Sequence, residues 1–140
     1  MPDYEFTADP ARIDPGRVHT LLAEHAYWAE GRSRATQDAA MAASRNYGVT
    51  ATPTGELVAY ARAVTDGVTF AWLADVIVDP AHRGRGVGTQ VIHGALADLD
   101  TLGLKRILLK ASPEAREVYL RAGFTGLPEP ETWLQRPGQR

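Results

Sequence analysis

The chain has 140 residues, of which 44% are hydrophobic and 23% charged, with a formal net charge of −2 at pH 7. This is enough for one domain with a hydrophobic core, and the slight acidity argues against a general nucleic-acid-binding protein. The absence of cysteine excludes disulfides, thiolate metal sites and cysteine nucleophiles. No apolar run approaches the roughly 20 residues of a membrane span. The N-terminal residues lack a signal-peptide pattern, so we expect a cytoplasmic location.

A short strand and two helices are predicted for the first third of the chain. Residues 4–8 alternate as a strand does. Asp14-Pro15 is typical of a helix start, and the apolar spacing predicts a helix to about Trp28. Ser33 can cap a second helix, which Tyr47-Gly48 is expected to end.

An antiparallel meander is predicted next. Residues 49–51, 57–64 and 68–78 are rich in β-branched and apolar side chains and form its strands. Asp66-Gly67 is the preferred pair for a two-residue hairpin turn between the last two.

The stretch from Asp75 to Thr89 joins a strand to a helix through a glycine-rich turn. Asp79-Pro80 stops the strand, because proline has no N–H to give to a sheet. An apolar-periodic helix is predicted from about Gly88 to Leu99. Amides at a helix start, close-approaching glycines and two arginines together predict an anion site.

The remaining residues predict a strand, a helix and two final strands. Residues 106–110 form a strand that is expected to be buried on both faces and to pair in parallel with the preceding strand. Ser112-Pro113 opens a helix that Gly123 ends. Residues 124–127 and 132–136 are predicted as the final strands. The element order predicts a single domain, residues 1–140, with a mixed α/β architecture around one sheet.

The glycine turn alone does not identify its anion. A Walker A loop needs a Gly-Lys-Ser/Thr ending, and a dinucleotide fingerprint needs a different glycine spacing from that of Gly84, Gly86 and Gly88. An exposed turn with two solvated arginines is the alternative interpretation.

Two motifs together resemble the GCN5-related N-acetyltransferase (GNAT) superfamily. Val78-x-Pro80-x-x-Arg83-Gly84-x-Gly86-x-Gly88 is similar to the family's acetyl-CoA-binding motif, Arg/Gln-x-x-Gly-x-Gly/Ala. Downstream, Ala115-x-x-x-Tyr119-x-x-x-Gly123-Phe124 resembles the family's penultimate helix. The resemblance implies a mostly antiparallel sheet with a central, splayed parallel strand pair, flanked by about four helices.

The resemblance also implies where acetyl-CoA binds. In the family, loop amides hold the pyrophosphate, and the pantetheine arm pairs with the splayed strand. A backbone N–H near Ile77 or Val78 would polarise the thioester carbonyl. Ser112 stands where the family often has an asparagine that contacts the cofactor. The implied cofactor-binding residues are Ile77, Val78, Arg83, Gly84, Arg85, Gly86, Val87, Gly88, Thr89 and Ser112.

Catalytic and acceptor residues follow from the same resemblance. Tyr119 occupies the position of the family's general acid, and the alternative is a tyrosine packed in the core. Asp75 lies where some members carry an acidic residue that binds or activates the amine. Its alternative is a strand carboxylate paired with an arginine. The candidate acceptor-site residues, whose alternative is core packing, are Tyr27, Trp28, Arg34, Phe70 and Trp72, of which the aromatic ones could hold an amine by cation–π contact.

The leading hypothesis is an enzyme that transfers an acetyl group from acetyl-CoA to the amine of a small molecule, with a protein amine as the less favoured acceptor. A non-catalytic acyl-CoA-binding module is the alternative, and the acidic charge disfavours a nucleic-acid module. No metal, nucleic-acid or membrane partner is expected. The acceptor, the acyl-chain preference and the oligomeric state stay open, a homodimer being one option.

Overall fold

The structure is a computed structural model that describes residues 3–138. The chain divides into two compact units, one up to Lys110 and the other from Ala111. The first unit contains the sheet, and the second contains a short helix and irregular chain.

A five-stranded mixed sheet with the strand order β1-β2-β3-β4-β5 forms the centre of the first unit. Neighbouring strands are antiparallel except β4 and β5, which are parallel. This mixed, mostly antiparallel sheet with a parallel pair confirms the predicted fold class. Within the described residues the parallel pair lies at the edge of the sheet and not at its centre, because no strand follows β5. The strands are β1 (Tyr4–Thr7), β2 (Arg45–Ala51), β3 (Glu56–Thr65), β4 (Phe70–Val78) and β5 (Arg106–Leu108).

Three helices cover the sheet: α1 (Pro15–His25), α2 (Arg34–Ala42) and α3 (Val87–Asp100). The predicted caps are present, since Asp14 accepts from the Gly16 amide and Ser33 from the Thr36 amide. Side chains of α1 form one core cluster with Tyr60 and Ile77 of the sheet. The buried residues of α3 are Val87, Val91, Ile92, Ala95 and Leu99. Short 3-10 helices cover Pro10–Arg12, Tyr27–Ala29 and Pro80–His82.

The prediction that Tyr47-Gly48 ends the second helix is wrong, because both residues lie inside β2. Gly48 serves packing instead: a Cβ there would lie 2.7 Å from Leu57 Cδ1 and 3.3 Å from Ile13 Cγ1. The first helix likewise ends at His25 and not near Trp28, where a 3-10 turn follows.

The predicted two-residue turn at Asp66-Gly67 is also wrong, because β4 begins only at Phe70. The Asp66 carboxylate caps the longer loop by accepting from the Val68 and Thr69 amides at 2.9 and 2.7 Å. The Thr69 hydroxyl also donates to this carboxylate, and its hydrogen bond together with those of the two amides holds the pKa of Asp66 well below its usual value. The side chain thereby satisfies amides that a tight hairpin would have paired between strands. Strand β5 is half-buried and shorter than predicted.

The second unit contains the helix α4 (Arg116–Arg121) and a 3-10 turn at Pro130–Thr132. The helix begins later than predicted, because the Ser112 carbonyl accepts from the Ala115 amide in a separate turn. The two predicted final strands are wrong: residues 124–138 contain no strand. Pro128 and Pro130 lack donors for a ladder, and Glu129 between them has φ +52°.

Candidate active site

The glycine turn lies between the end of β4 and the start of α3. Gly84 and Gly86 have φ of +76° and +77°, which is the left-handed region that glycine adopts without a steric cost. Gly86 is the N-cap of α3 and offers no side chain to the first amides of the helix. A Cβ on either glycine would meet no atom within 4 Å. The turn is therefore open on the side from which a ligand would approach.

Consecutive backbone amides of this turn are unpaired. Within residues 3–138, the amides from Gly84 to Thr89 donate to no protein acceptor, whereas the Gln90 amide donates to the Gly86 carbonyl at 3.0 Å. A row of free donors at a helix N-terminus, next to the helix dipole, favours an anion. Arg83 and Arg85 add two exposed guanidinium groups to the same turn.

Tyr4 of β1 contacts this turn, which sequence reasoning missed. Its hydroxyl lies 2.8 Å from His82 Nδ1 and accepts from Arg85 Nη1 at 3.2 Å. Gln90 of α3 donates to the Tyr4 carbonyl at 3.1 Å. His82 itself is half-buried in this turn. The first strand thus orders one side of the loop.

Strand β4 separates from β5 soon after their pairing begins. The parallel register joins only Phe70–Trp72 to Arg106–Leu108, so Leu73 to Val78 have no partner strand on that side within residues 3–138. On the other side Ala59 faces Val78, and the Asp79 amide donates to the Val58 carbonyl at 2.8 Å. This pattern makes Ala59 and Val78 a non-hydrogen-bonded pair. The Val78 N–H therefore points away from β3, while the Ile77 N–H points towards it.

A bulge in β4 places the Asp75 side chain. The register steps from Tyr60↔Ile77 to Arg62↔Ala74, so that Asp75 and Val76 together oppose a single residue of β3. Asp75 has φ +55°, which is unusual for a residue other than glycine. The left-handed conformation turns Asp75 to the face of Arg62, although strict alternation would place it on the opposite face.

The buried carboxylate of Asp75 is the centre of a charged network. Arg32 Nη1 and Arg62 Nε each donate to Asp75 Oδ2 at 2.7 Å, and Trp28 Nε1 donates to Oδ1 at 2.9 Å. Burial alone would raise the pKa of this carboxyl group, but the hydrogen bonds and charges of the two arginines outweigh it and lower the pKa. Asp75 is therefore a held anion, the arginine-paired alternative of the sequence prediction.

The predicted substrate-binding aromatic residues lie on two elements. Tyr27 and Trp28 form part of the 3-10 turn after α1, in edge-to-face contact at 5.2 Å, and are 73% and 43% exposed. Phe70 and Trp72 occupy alternate positions of β4 and are 40% and 39% exposed. Core packing does not account for this exposure. Trp28 is hydrogen-bonded to Asp75, so these two predicted site residues lie in direct contact.

Tyr119 lies in α4 of the second unit, and its ring meets Phe124 edge-to-face at 5.8 Å. The residue is 7% exposed, and its burial raises the pKa of the phenol. Within residues 3–138 the Tyr119 hydroxyl has no hydrogen-bond partner. It is nevertheless not fully buried, because among the described residues the only fully buried side-chain polar atom without a partner is Gln37 Nε2. The Tyr119 hydroxyl therefore stays protonated at neutral pH and keeps access to solvent. Ser112 precedes the helix in the same unit.

Sequence reasoning missed Arg32, Gln37 and Arg62. One signal was available for Arg62, which is a charged residue inside the apolar run of β3 and requires a partner if half-buried. Arg32 and Gln37 gave no such signal, because both stand in ordinary polar surroundings. Their role depends on contacts between segments that are distant along the chain.

A second polar cluster lies on another part of the first unit. Arg45 donates twice to Asp98, at 2.8 and 2.9 Å, and the Tyr47 hydroxyl donates to it at 2.6 Å. A cavity of about 260 Å³ adjoins these residues. Its polar groups satisfy one another, so the cluster joins β2 to α3 as structural support.

Two absences within the described residues concern metal ligands and membrane-spanning helices. No group of three or more His, Asp or Glu side chains within residues 3–138 could hold a metal ion. None of the helices in that range has the length and apolar character to cross a membrane.

Comparisons with known proteins place this site in a family context. A model of the acetyltransferase (GNAT) family matches residues 16–124. Serotonin N-acetyltransferase 2, chloroplastic, of Oryza sativa subsp. japonica is 40% identical over 75 residues, which are 54% of this chain and 38% of that protein. GCN5-related N-acetyltransferase 1, chloroplastic, of Arabidopsis thaliana is 38% identical over 72 residues, 51% of this chain and 36% of that protein. The chain thus spans under two fifths of either plant protein, and a cytoplasmic location stays a prediction.

Solved structures resemble the whole chain. A GNAT-family protein from Xanthomonas campestris pv. campestris has a TM-score of 0.88 at 34% identity, covering 99% of this chain and 95% of its own. Rv2747 from Mycobacterium tuberculosis, solved in complex with CoA and NLQ, has a TM-score of 0.74 at 19% identity and covers 89% of this chain and 73% of its own. The second likeness shows the fold alone.

Proposed function

The chain belongs to the GNAT family of acetyltransferases, and from that premise we propose that it transfers an acetyl group from acetyl-CoA to the primary amine of a small molecule. The whole chain acts as one acetyltransferase domain in this proposal. The observation that carries it is the row of unpaired amides from Gly84 to Thr89 next to the unpaired edge of β4.

The unpaired amides fit the pyrophosphate of CoA. They supply consecutive donors at the positive end of α3, where a doubly charged anion is stabilised without a side chain. Arg83 and Arg85 add charge, and Tyr4 restricts Arg85.

The unpaired edge of β4 fits the pantetheine arm, whose amides can pair with a strand as an added strand does. Of the two residues predicted to polarise the thioester, the register favours Val78, because its N–H points away from β3 while that of Ile77 points towards it. One such donor at a developing oxyanion is commonly worth about 3 kcal/mol of barrier.

Bound acetyl-CoA supplies an activated acetyl carbon, which the amine attacks with loss of the CoA thiol. The Tyr119 hydroxyl donates its proton to the departing sulfur, a role that its raised pKa permits because the phenol stays protonated. Asp75 is a poor base, since its lowered pKa keeps it an anion of low basicity. The amine therefore loses its proton to solvent, and Asp75 positions Arg32, Arg62 and Trp28.

The test is thiol release from acetyl-CoA in the presence of amino acids, polyamines, aminoglycosides and peptides with free N-termini. We expect release with at least one small-molecule class. The second candidate function, a binding module, predicts tight binding of acetyl-CoA without release for any amine. The Tyr119 hydroxyl favours the enzyme, because it has no partner within residues 3–138 and a binding module has no use for a free proton donor.

A further inference from the structure

The Asp75 network contains more positive charge than Asp75 can neutralise. Arg32 and Arg62 each pair with this carboxylate and, within residues 3–138, with no other acidic group. Trp28 is a neutral donor to the same carboxylate. Two guanidinium groups against one carboxylate leave one positive charge in a half-buried place.

The same network also holds unused donors. Within residues 3–138, Arg32 Nε and Nη2 and Arg62 Nη2 donate no hydrogen bond, although Arg32 Nη1 donates to Gln37 Oε1 at 2.8 Å and Arg62 Nη1 to Ser44 Oγ at 3.2 Å. The Gln37 side chain is fully buried and its amide nitrogen has no partner. The Arg32 and Arg62 side chains are 20% and 15% exposed. Free donors therefore remain on guanidinium groups that solvent reaches.

A purely structural clamp does not require this arrangement. A single arginine neutralises one buried carboxylate, and a second half-buried guanidinium is costly unless another anion matches it. The planar guanidinium fork presents paired N–H groups in the geometry of a carboxylate or phosphate. The charge and the unused donors both call for an anion from outside the chain.

We propose that Arg32 and Arg62 form a subsite for an anionic group, a carboxylate or a phosphate, carried by the acceptor amine. This rests on the proposed function. Asp75 lies three positions before Val78 on β4, roughly 10 Å or less at the usual rise per strand residue. A small amino acid or aminoalkyl phosphate fits that scale. The exposed rings of Trp28 and Trp72 border the same face and would contact the aliphatic part of such an acceptor.

The first experiment measures kcat/KM of the wild-type protein for matched pairs of acceptors. Each value is calculated from the concentration of the unprotonated amine, so that differences in amine pKa do not affect the comparison. The pairs are L-alanine with L-alaninamide, β-alanine with β-alaninamide, and O-phosphoethanolamine with ethanolamine. We expect the charged member of at least one pair to be preferred about tenfold or more, as for charge-assisted hydrogen bonds. The pair with the larger ratio distinguishes carboxylate from phosphate. Equal or lower values for all three charged members overturn the subsite.

The second experiment uses Arg32→Lys, which keeps a charge for Asp75 but removes the fork. We expect it to raise KM for the preferred anionic acceptor about tenfold and to leave kcat for that acceptor nearly unchanged. KM for the neutral acceptor of the same pair should change little. Arg34, a predicted acceptor-site residue, is exposed and pairs with Asp38 at 2.8 Å. The matched control is therefore Arg12→Lys, because Arg12 is exposed, pairs with Glu5 at 3.1 Å and was not predicted to contact the acceptor. An equal loss for charged and neutral acceptors in Arg32→Lys would show a structural role only and contradict the subsite.

A binding measurement separates this inference from the proposed function. Calorimetric titration of the CoA-saturated protein with N-acetyl-β-alanine, N-acetyl-β-alaninamide and inorganic phosphate requires no turnover. Absence of thiol release with every amine contradicts the proposed function, while preferential binding of an anionic probe still supports the subsite. Thiol release with no charge preference in either assay sustains the function and overturns the subsite.

Discussion

The environments of Tyr119 and Asp75 shift their acidity in opposite directions. Burial raises the pKa of the Tyr119 phenol and so keeps its proton in place at neutral pH. At Asp75, burial acts against the charge but the two arginines outweigh it, so the carboxylate stays ionised. A proton donor and a permanent anion are therefore the roles that their surroundings favour.

Tyr119→Phe tests the proton donor. The variant keeps the ring that packs against Phe124 and removes only a hydroxyl without a partner. We expect kcat to fall about 100-fold or more, within the range of general acid catalysis. Thiol-release kinetics give kcat, and calorimetry should show unchanged acetyl-CoA affinity. Undiminished turnover would remove Tyr119 from the mechanism.

Asp75→Asn tests the held anion. Asparagine tolerates the left-handed backbone at φ +55°, so the change isolates the charge. Loss of a buried partner leaves both guanidinium groups unmatched, and we expect the free energy of unfolding to fall by about 2–3 kcal/mol at pH 7. Urea unfolding of the variant and the wild type measures this difference.

The pH dependence of that difference has a definite sign. A carboxyl group with a lowered folded-state pKa contributes stability above its unfolded value of about 3.9. This contribution disappears as the pH falls through the lower folded-state value. The gap between wild type and Asp75→Asn should therefore be full at pH 7 and smaller near pH 3. A gap independent of pH would contradict the charge as its cause.

Single residues differ in how far the sequence could predict them. Gly84, Gly86 and Tyr119 belong to short motifs, whose physical demands are local and readable from spacing. Asp75 stands out in the sequence as a charged residue in a strand, but its pairing with Arg32 and Arg62 joins segments that are distant along the chain. No local pattern encodes such a convergence.

Among the elements, the turn before α3 determines the proposed cofactor binding. Gly86→Val should strain the backbone, because a β-branched residue is disfavoured at φ +77°, and it should also cover the free amides. We expect acetyl-CoA affinity to fall at least about tenfold, roughly 1.4 kcal/mol, in a protein that still folds. Calorimetry measures the affinity, and circular dichroism checks the fold.

Gly55→Val is the matched control for that variant. Gly55 has φ +74°, and a Cβ there would also meet no atom within 4 Å, but it lies in the turn between β2 and β3. It should show similar backbone strain without loss of affinity. If both variants lost affinity equally, strain and not the covered amides would explain the effect.

Elements with a local start signal were predicted well, as Asp14 and Ser33 show for α1 and α2. Element boundaries that depend on tertiary contacts were predicted poorly. Gly48 resembled a residue that ends a helix, but it lies inside β2, where the missing side chain leaves space for Leu57. The final strands were predicted from two short apolar segments, and neither segment pairs with another strand within residues 3–138.

For the molecule as a whole, acetyl-CoA should stabilise the folded state by mass action. At a ligand concentration about 100 times Kd the gain is about 2.7 kcal/mol, which corresponds to several degrees in Tm for a chain of this size. A thermal melt with millimolar acetyl-CoA measures it. S-acetyl-pantetheine, which lacks the pyrophosphate, should shift Tm less. No shift with acetyl-CoA would contradict the cofactor assignment.

The unpaired amides from Gly84 to Thr89 have a further consequence. Without a protein acceptor, their protons exchange with solvent readily in the free protein, whereas the ladder amides inside the sheet are protected. An anion bound to the turn would slow hydrogen exchange at these amides. Deuterium uptake by peptides that cover the turn therefore measures the fraction of protein with bound cofactor, and the measurement requires no knowledge of the acceptor.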